Sequence, residues 1–376
     1  MNKICFYCSS QSWGGLEMNF VKHALWLNEN NWDITIFCVE NSPIHNKVKQ
    51  LNVKSVFVNK NKKYYDIINA FKVYKKVKEL KIDAIWIRDV KDMSLVGLVK
   101  TFSCNKIKII YQQAMQLGIK KRDILHTIRF SKIDAWITPL NFLANQVKEM
   151  TKFNSSKIHV IPLAIDLSKL NLSVISKEES RKTLELDLNK FYIGILGRLD
   201  PQKGQDFLIN AINNLKNRGL DINLLIVGES TKNEGIDYEE TLKKLISDLK
   251  IKENVIIMPY TDKINLFYNA IDLFAMASKG ETFGMVTIEA LIYGIPIIGT
   301  NTSGTPEILK NGEYGTLYNE GNVNDFCEKI IEIYNNYNLY NNKSKTAQSF
   351  AVEEYSHINE INKIEKVLNS LELYKN

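Results

Sequence analysis

The segment between Gly197 and Gly204 carries two basic side chains at a spacing suited to binding an anion. In the string GILGRLDPQKG an apolar run ends at Gly197, Arg198 and Lys203 follow, and a helical pattern begins near Gly204. The free N–H groups and the dipole at the start of a helix favour anions; Arg adds a planar fork of donors and Lys a point charge. This spacing predicts a diphosphate site. A solvent-exposed turn with incidental charges remains the alternative, because the string lacks the GxxxxGK[ST] and GxGxxG phosphate motifs.

Two glutamates stand eight positions apart in the string ETFGMVTIEALIYGIP, at Glu281 and Glu289. If a helix starts near Gly284, Glu281 lies in the loop before it and Glu289 lies in its second turn. The free N–H groups of Gly284 and Met285 then point into the same space. This arrangement offers acceptors for sugar hydroxyls beside donors for phosphate oxygens. Alternatively, Glu281 only neighbours a helix cap and Glu289 is a surface residue, but a carboxylate within this apolar run needs polar partners.

A pair of glycines, Gly14 and Gly15, follows the first apolar run in the string SWGGLE. Without a side chain, the backbone there can approach a ligand closely while a helix begins. Paired glycines more often form ordinary turns, so this string alone does not establish a ligand site.

Short apolar runs alternate with amphipathic segments along the whole chain. The predicted strands are Lys3–Cys8, Asp33–Val39, Val53–Val58, Ala84–Ile87, Lys108–Gln112, Ala135–Thr138 and Ile158–Pro162, then Phe191–Leu196, Ile222–Val227, Asn254–Met258, Leu273–Ala275 and Ile295–Gly299. The predicted helices include Gly15–Asn28, Tyr65–Leu80 and Leu140–Lys148, then Gly204–Asn217, Tyr238–Leu249, Lys263–Ala270, Gly284–Tyr293 and Asp325–Asn335. Alternation of this kind indicates α/β domains with parallel sheets covered on both faces.

The pattern stops at a polar segment, 166–190, and then restarts, so the sequence predicts two doubly wound, Rossmann-like domains. The expected bounds are 1–166 for the N-terminal domain, 167–352 for the C-terminal domain, and 353–376 for a C-terminal helix that could pack back on the first domain. Because parallel sheets bind ligands outside the carboxyl ends of their strands, both domains should present loops to a shared cleft.

Composition excludes several classes of protein. A length of 376 residues exceeds one hydrophobic core, and 45% apolar with 24% charged residues is typical of a globular chain. No apolar run is long enough to span a bilayer, and the N-terminus resembles a first strand more than a signal peptide. We therefore expect a cytoplasmic protein. The five cysteines are expected to be plain buried thiols without a disulfide or zinc: Cys5, Cys8, Cys38, Cys104 and Cys327.

The charge is unevenly distributed. Residues 1–165 contain 26 Lys and Arg against 12 Asp and Glu, a net +14, whereas the remainder contains 23 against 30, a net −7. Such asymmetry suggests that the first half meets an anionic partner, such as the inner face of a membrane or a lipid diphosphate. Solvated lysine-rich helix faces explain it equally well. Segment 60–81, with eight lysines around an apolar stripe, is one candidate for peripheral membrane contact.

Taken together, these strings resemble those of the GT-B glycosyltransferases, and specifically of glycosyltransferase family four. The resemblance is strong over Phe191–Leu317, through GRLDPQKGQDFLINA and ETFGMVTIEALIYGIPIIGTN, and diffuse over the first half. The order of the three motifs, GG, then GR…K, then two glutamates eight apart, also matches that family. It is far more specific than any single motif.

The resemblance implies a role for each motif. Arg198 and Lys203 would hold and neutralise the donor diphosphate as it leaves, Glu281 would bind hydroxyls of the donor sugar, and Glu289 would bind the ribose. The backbone at Gly15, Phe283, Gly284 and Met285 would complete the phosphate site. The family usually needs no metal ion, so no cofactor is expected beyond the nucleotide-sugar substrate. It also retains the anomeric configuration of the sugar.

The first half departs from the family pattern at one position. Many members have a histidine near the donor sugar after the fifth strand, where this chain has YQQAMQLG, and Ala114 is the expected equivalent. Gln112, Gln113 or Gln116 could have taken over that role, with His126 as a weaker candidate. The further acceptor-side candidates are Arg88 and Asp89 after the fourth strand, and Lys120 and Lys121 of the basic triplet that ends at Arg122.

The sequence therefore predicts a retaining hexosyltransferase that uses a nucleotide diphosphate sugar, with UDP as the default base. The expected acceptor is a glycan or lipid-linked saccharide, in bacterial cell-surface polysaccharide synthesis. The main alternative is a non-catalytic or weakly active GT-B protein that binds nucleotide or glycan, which the missing histidine would favour. An epimerase of the same fold is a further alternative. Nucleic-acid binding is not expected, because nothing in the basic half resembles a nucleic-acid module.

Overall fold

The chain forms two units, each with its own sheet. The computed structural model describes residues 2–51, 53–62, 66–168, 170, 175–230 and 238–373. The first unit runs from the N-terminus to Leu163 and includes the C-terminal segment from His357 onward; the second unit comprises Ala164–Ser356.

The first unit has a seven-stranded sheet in the order β3-β2-β1-β4-β5-β6-β7, and the strand pairs are parallel. Its strands are β1 (Lys3–Cys8), β2 (Asp33–Val39), β3 (Ser55–Val58), β4 (Ala84–Ile87), β5 (Lys108–Gln112), β6 (Ala135–Thr138) and β7 (Ile158–Val160). Most are short, continuous apolar runs, as expected of strands buried on both faces. Chain order reverses between β1 and β4, which places a topological switch point at their carboxyl ends.

Helices cover this first sheet. They are α1 (Gly15–Glu29), α2 (Pro43–Gln50), α3 (Ile67–Glu79), α4 (Met93–Phe102), α5 (Ile124–Ser131) and α6 (Asn141–Met150). Several begin at a side-chain cap: Ser42, Asp66 and Asp123 each accept a hydrogen bond from a backbone N–H of the first turn. Each cap fixes the residue at which its helix begins, and therefore also the residue at which the preceding loop ends.

The second unit has a six-stranded sheet in the order β10-β9-β8-β11-β12-β13, again with parallel pairs. Its strands are β8 (Phe191–Leu196), β9 (Ile222–Val227), β10 (Val255–Met258), β11 (Leu273–Met276), β12 (Ile297–Thr300) and β13 (Thr316–Tyr318). Here the order reverses between β8 and β11. The loops that follow those two strands therefore meet at the place where doubly wound sheets bind ligands.

The helices of the second unit are α7 (Lys177–Thr183), α8 (Gln205–Asn217), α9 (Tyr238–Asp248), α10 (Ile264–Ala270), α11 (Met285–Ile292), α12 (Thr305–Ile308), α13 (Val323–Asn335) and α14 (Tyr337–Glu354). One core cluster joins α8 and α13 to the sheet through fully buried side chains such as Ile209, Ile212 and Ile330. This core packs beneath the loops that follow β8 and β11.

The C-terminal helix α15 (His357–Ser370) belongs to the first unit. Its Glu360 carboxylate lies 2.6 Å from His23 Nε2 of α1, with both side chains fully buried. The indole N–H of Trp32 donates to Glu365 at 2.9 Å. The first unit is thus built from both ends of the chain.

The predicted C-terminal helix, 353–376, is present as α15, but it begins four residues later than expected, at His357. α14 ends at Glu354, two residues follow, and α15 then begins at His357. The carbonyl of Tyr355 accepts a hydrogen bond from the Ile165 N–H at 2.9 Å instead of continuing a helical ladder, which explains the break.

Other differences concern short elements and ends. Strand β13 was not predicted, and five strands differ from their expected bounds by one or more residues: β3, β7, β10, β11 and β12. The expected start of a helix at Tyr65 lies outside the described residues. All five cysteines are free thiols, and Cys104 is exposed rather than buried.

Candidate functional site

The loop after β8 is held in one conformation by its own polar groups. Asp200 accepts a hydrogen bond from the Gln202 N–H at 2.8 Å, and the buried Gln205 side chain donates to the Arg198 carbonyl at 2.8 Å. Gly204, just before α8, has φ = 77°, a left-handed conformation that favours glycine. These bonds fix the path of the chain between Arg198 and α8.

The loops after β8 and β11 lie directly against each other. The Lys279 N–H donates to the Gln202 carbonyl at 2.8 Å. A Cβ atom on Gly204 would lie only 2.3 Å from the Ala277 carbonyl oxygen, so glycine is required for this close approach. The switch point of the second sheet therefore brings together the two segments singled out in the sequence.

Lys203 and Glu281 form an ion pair across these loops, with 2.9 Å between Nζ and Oε2. The other carboxylate oxygen of Glu281 accepts from the Thr282 N–H at 3.1 Å, and the Glu281 carbonyl accepts from Gly304 at 3.1 Å. Both side chains of the pair remain partly exposed. Arg198 is more exposed, and its guanidinium lies 3.5 Å from the Asp200 carboxylate.

The segment after Glu281 leads into α11. Phe283 is buried and makes an edge contact with Tyr355, which anchors the loop. Gly284 has φ = 73° and precedes α11, whose first residue is Met285. The first N–H groups of a helix have no partner within it, so the backbone N–H of Met285 can donate to a ligand at this edge of the sheet.

Glu289 lies within α11 and is partnered by a tyrosine. The Tyr268 hydroxyl of α10 donates to Glu289 Oε2 at 2.8 Å, and the Tyr268 ring stacks on Tyr293 at 4.8 Å. Burial raises the pKa of Glu289 to about 6, against the opposing effect of this hydrogen bond. The carboxylate is therefore held in position and is ionised at neutral pH.

This edge of the second sheet combines groups of complementary chemistry. Lys203 pairs with Glu281 just before the N-terminus of α11, Arg198 lies on the same loop as Lys203, and Glu289 lies further along α11. Cations and N–H groups suit phosphate oxygens, and carboxylates suit sugar hydroxyls. Among the described residues, no group of three or more His, Cys, Asp or Glu side chains is arranged to hold a metal ion.

Comparison with known protein families identifies both halves of the chain. Residues 13–169 match the model of Glycosyltransferase Family 4, and residues 176–350 match that of Glycosyl transferases group 1. The two matches lie end to end and fall on the two Rossmann-like sheets.

The chain belongs to the GT-B glycosyltransferases, of the family-four type.

Similar proteins agree with this assignment. An uncharacterized glycosyltransferase of Haemophilus influenzae is 25% identical over 350 residues, covering 90% of this chain and 92% of that protein. The capsular polysaccharide biosynthesis glycosyltransferase CapM of Staphylococcus aureus is 30% identical over 175 residues, covering 46% of this chain and 44% of the relative. The crystal structure of Anabaena Alr3699/HepE in complex with UDP superposes with a TM-score of 0.85 at 18% identity, covering 98% of this chain and 100% of that one. This last likeness concerns the fold.

In the first unit of this glycosyltransferase, Gly14 and Gly15 start α1 immediately after the β1 loop. The Gly14 N–H donates to Glu17 Oε2 at 3.0 Å, and the Ser10 hydroxyl donates to the other oxygen at 2.6 Å. The space where a Cβ of Gly15 would point is open to 4 Å. The structure therefore leaves room beside Gly15 for a ligand.

Four of the six acceptor-side candidates line one cavity of about 220 Å³ in the first unit. They are Arg88, Asp89, Ala114 and Lys121. Gln116 also lines it, and its amide oxygen accepts from Gln146 at 3.2 Å. This cavity lies at the carboxyl ends of β4 and β5.

The other two candidates lie elsewhere. Gln113 is fully buried, where its amide accepts from the Trp136 indole at 2.9 Å and donates to the Met115 carbonyl at 2.8 Å. Lys120 is exposed outside the cavity lining. His126 lies on α5, 2.6 Å from the Asp123 carboxylate, and does not line the cavity.

Several residues of these sites were not found from the sequence. Tyr268, which holds Glu289, lies on a separate helix and carries no local motif. Leu16, Lys91 and Arg129 line the first-unit cavity together with the predicted residues. All three lie close to predicted segments: Leu16 follows Gly15, Lys91 is two residues after Asp89, and Arg129 follows the basic triplet.

Proposed function

We propose that the chain is a retaining hexosyltransferase that takes its sugar from a nucleotide diphosphate donor, with UDP as the default base. The observation that supports this most directly is the Lys203–Glu281 pair at the switch point of the second sheet, 2.9 Å apart. A donor has a diphosphate next to a sugar, and this pair offers a cation next to a carboxylate. The UDP complex of the Anabaena structural neighbour supports the choice of base.

Each residue has a role in the proposed reaction. Arg198 and Lys203 bind the diphosphate and stabilise the charge that develops on it as the bond between sugar C1 and the phosphate oxygen breaks. Glu281 accepts hydrogen bonds from sugar hydroxyls, and Glu289 accepts them from the ribose. Because two cations neutralise the leaving group, the proposal needs no metal ion.

Retention follows if the acceptor attacks the face from which the diphosphate leaves. The acceptor hydroxyl oxygen forms the new bond to C1, and its proton passes to the departing phosphate oxygen. The bond electrons remain on the diphosphate, so no covalent enzyme intermediate and no enzyme nucleophile are needed. In this scheme the phosphates also contact the backbone at four residues: Gly15, Phe283, Gly284 and Met285.

The proposed acceptor is a glycan or lipid-linked saccharide in bacterial cell-surface polysaccharide synthesis. The name of the S. aureus relative supports this pathway. No described helix has the length and apolar character needed to cross a membrane. We place contact with a lipid acceptor on the first unit, because residues 1–165 carry a net charge of +14.

Isothermal titration with UDP, GDP and ADP tests the donor assignment. We expect one nucleotide to bind the wild type, and Lys203→Ala to weaken it roughly 10- to 100-fold, since a hydrogen bond between charged groups contributes about 1.5–3 kcal/mol. Lys244→Ala, an exposed lysine on α9, is the matched control and should bind normally. If no nucleotide binds the folded protein, the donor assignment is wrong.

A non-catalytic nucleotide- or glycan-binding protein is the second candidate. It is favoured by the lining of the first-unit cavity, which has Ala114 and no histidine among the described residues. Incubation with the donor that binds, followed by NMR of the sugar product, separates the two. An α-linked product from an α-linked donor supports retaining transfer; binding without transfer or hydrolysis supports the alternative.

A further inference from the structure

The first-unit cavity is strongly basic. Its lining includes four basic side chains and one acidic one: Arg88, Lys91, Lys121, Arg129 and Asp89. These come from the segments after β4 and β5 and from α5, so the fold rather than a local charge run brings them together. Leu16, at the N-terminus of the fifteen-residue helix α1, also lines the cavity and adds the positive end of a helix dipole.

Arg88 is the most informative of these residues because it is 2% exposed. One end of its guanidinium donates to the Gln112 amide oxygen at 3.1 Å, and Gln112 also accepts from the Trp86 indole. Among the described residues, no acceptor is within hydrogen-bond distance of Arg88 Nε. The buried Glu360 carboxylate already balances part of the Arg88 charge, and His23 Nδ1 lies 3.2 Å from the same guanidinium nitrogen, so Nε is the donor that remains for a ligand.

Five large exposed apolar side chains form a group within segment 115–128, part of which lines this cavity. We call it the apolar strip; its members, with their exposed fractions, are Met115 (72%), Ile119 (70%), Ile124 (74%), Leu125 (59%) and Ile128 (56%). Met115 also lines the cavity, so the strip and the cavity share a wall. On α5, Ile124 and Ile128 are four residues apart, as are Leu125 and Arg129, so the exposed apolar face of this helix borders the arginine that lines the cavity.

Both features together identify the chemistry of the occupant. Several cations converging on a space of about 220 Å³ suit a phosphate group, whose oxygens accept from guanidinium and ammonium donors. A cluster of large exposed apolar side chains marks a contact with an apolar partner. The strip is flanked by Lys120 and Arg122, and basic residues beside exposed apolar ones suit the interface of an anionic bilayer.

We propose that this cavity binds the phosphate group of a lipid-linked acceptor, while the apolar strip rests in the bilayer that holds the lipid. This rests on the proposed function, because it names the class of acceptor for the same enzyme. It also locates the membrane contact on segment 115–128 instead of the lysine-rich segment 60–81, where the sequence had suggested it.

Vesicle co-sedimentation tests the proposal without requiring catalysis. The probes are phosphatidylcholine vesicles with and without phosphatidic acid, a phosphate monoester on an apolar anchor. We expect binding only when phosphatidic acid is present, and Lys121→Ala should weaken it about fivefold, as expected for one basic residue at an anionic surface. Ile124→Ser with Leu125→Ser should reduce binding more strongly, since it removes both apolar contacts.

Matched controls come from α3, which also exposes apolar and basic side chains. Ile67 and Ile68 are 58% and 73% exposed, and Lys72 is exposed on the same helix. Ile67→Ser with Ile68→Ser, and Lys72→Ala, should leave vesicle binding unchanged. If the α3 variants lose binding while the strip variant keeps it, the location is wrong.

A soluble phosphate is the other source of the same chemistry, and glycerol 3-phosphate distinguishes it. As a competitor it should displace the protein from phosphatidic acid vesicles only at high concentration. If it binds as tightly as the vesicles do, and the strip variant binds the vesicles normally, the lipid assignment is overturned. Equal binding to vesicles without phosphatidic acid would overturn the phosphate assignment.

Nucleotide titration on the same samples keeps this proposal separate from the proposed function. Lys121→Ala should bind UDP like the wild type, and Lys203→Ala should bind vesicles like the wild type. If the wild type distinguishes vesicles with and without phosphatidic acid but binds no UDP, the donor assignment is wrong. If it binds UDP but binds both kinds of vesicle equally, the lipid-phosphate assignment is wrong.

Discussion

At the scale of single residues, Glu281 contacts one partner in the structure and another in the proposed reaction. In this structure it pairs with Lys203, and in the proposed reaction it contacts the donor sugar while Lys203 contacts phosphate. Free UDP must therefore compete with Glu281 for Lys203. We expect Glu281→Gln to bind UDP at least as tightly as the wild type, while kcat for sugar transfer falls roughly 100-fold. Titration calorimetry and initial rates measure the two quantities; if UDP affinity and kcat fall together, Glu281 serves to position Lys203.

Glu289 gives the proposed site a dependence on pH. Burial raises its pKa to about 6, so the folded protein binds a proton between about pH 4.5 and 6 that the unfolded chain does not. Its contribution to stability therefore falls as pH rises through that window and is constant above it. Ribose hydroxyls need the ionised acceptor, so we expect UDP to bind about tenfold more weakly at pH 5 than at pH 7.5.

Glu289→Gln provides the control for this pH dependence. The phosphate of UDP also titrates near pH 6, but it does so equally for both proteins. The difference between wild type and Glu289→Gln therefore isolates the carboxyl group. Parallel affinity profiles for the two proteins from pH 5 to 7.5 would contradict a role for Glu289 in binding ribose.

At the scale of elements, the site depends on how closely the loops after β8 and β11 approach. Gly204→Ala would place a Cβ 2.3 Å from the Ala277 carbonyl oxygen, in addition to the cost of φ = 77°. Gly219 has φ = 83° with no atom within 4 Å of its Cβ position, so Gly219→Ala carries the conformational cost alone. We expect Gly204→Ala to be less stable than Gly219→Ala by about 1–3 kcal/mol. Hydrogen exchange at the amides of β8 and β11 measures the loss of stability in each variant. Equal losses for the two variants would mean that the loops after β8 and β11 can move apart at no cost in free energy.

Much of this architecture could be predicted because buried parallel strands are continuous apolar runs. Seven strands have the predicted bounds: β1, β2, β4, β5, β6, β8 and β9. β13 was missed because its three residues, Thr316–Tyr318, lie between Gly315 and Asn319 and are not part of a longer apolar run, as the equally short β7 is. The break between α14 and α15 was missed because it depends on Ile165, which is distant in sequence.

The candidate site was predictable to the extent that its chemistry is local. Arg198, Lys203, Glu281 and Glu289 stand in two short strings, and the fold brings those strings together. Tyr268 could not be found, because only tertiary packing places its hydroxyl against Glu289. The apolar strip was also missed, since a sequence pattern does not reveal that apolar residues of α5 face solvent instead of the core.

At the scale of the whole molecule, the last helix stabilises the unit at the other end of the chain. Ile364 of α15 is fully buried in the first unit, and Ile330 of α13 is fully buried in the second. Replacing either by Ala should cost about 2–5 kcal/mol through lost contacts and a cavity. We therefore expect Ile364→Ala to speed hydrogen exchange in α1 and β1 while β8 and β9 remain protected, although α15 follows the second unit in sequence. Ile330→Ala should have the opposite effect, because its side chain belongs to the core beneath β8. Peptide-resolved exchange distinguishes the two patterns, and faster exchange in both units for both variants would show that they unfold as one cooperative body.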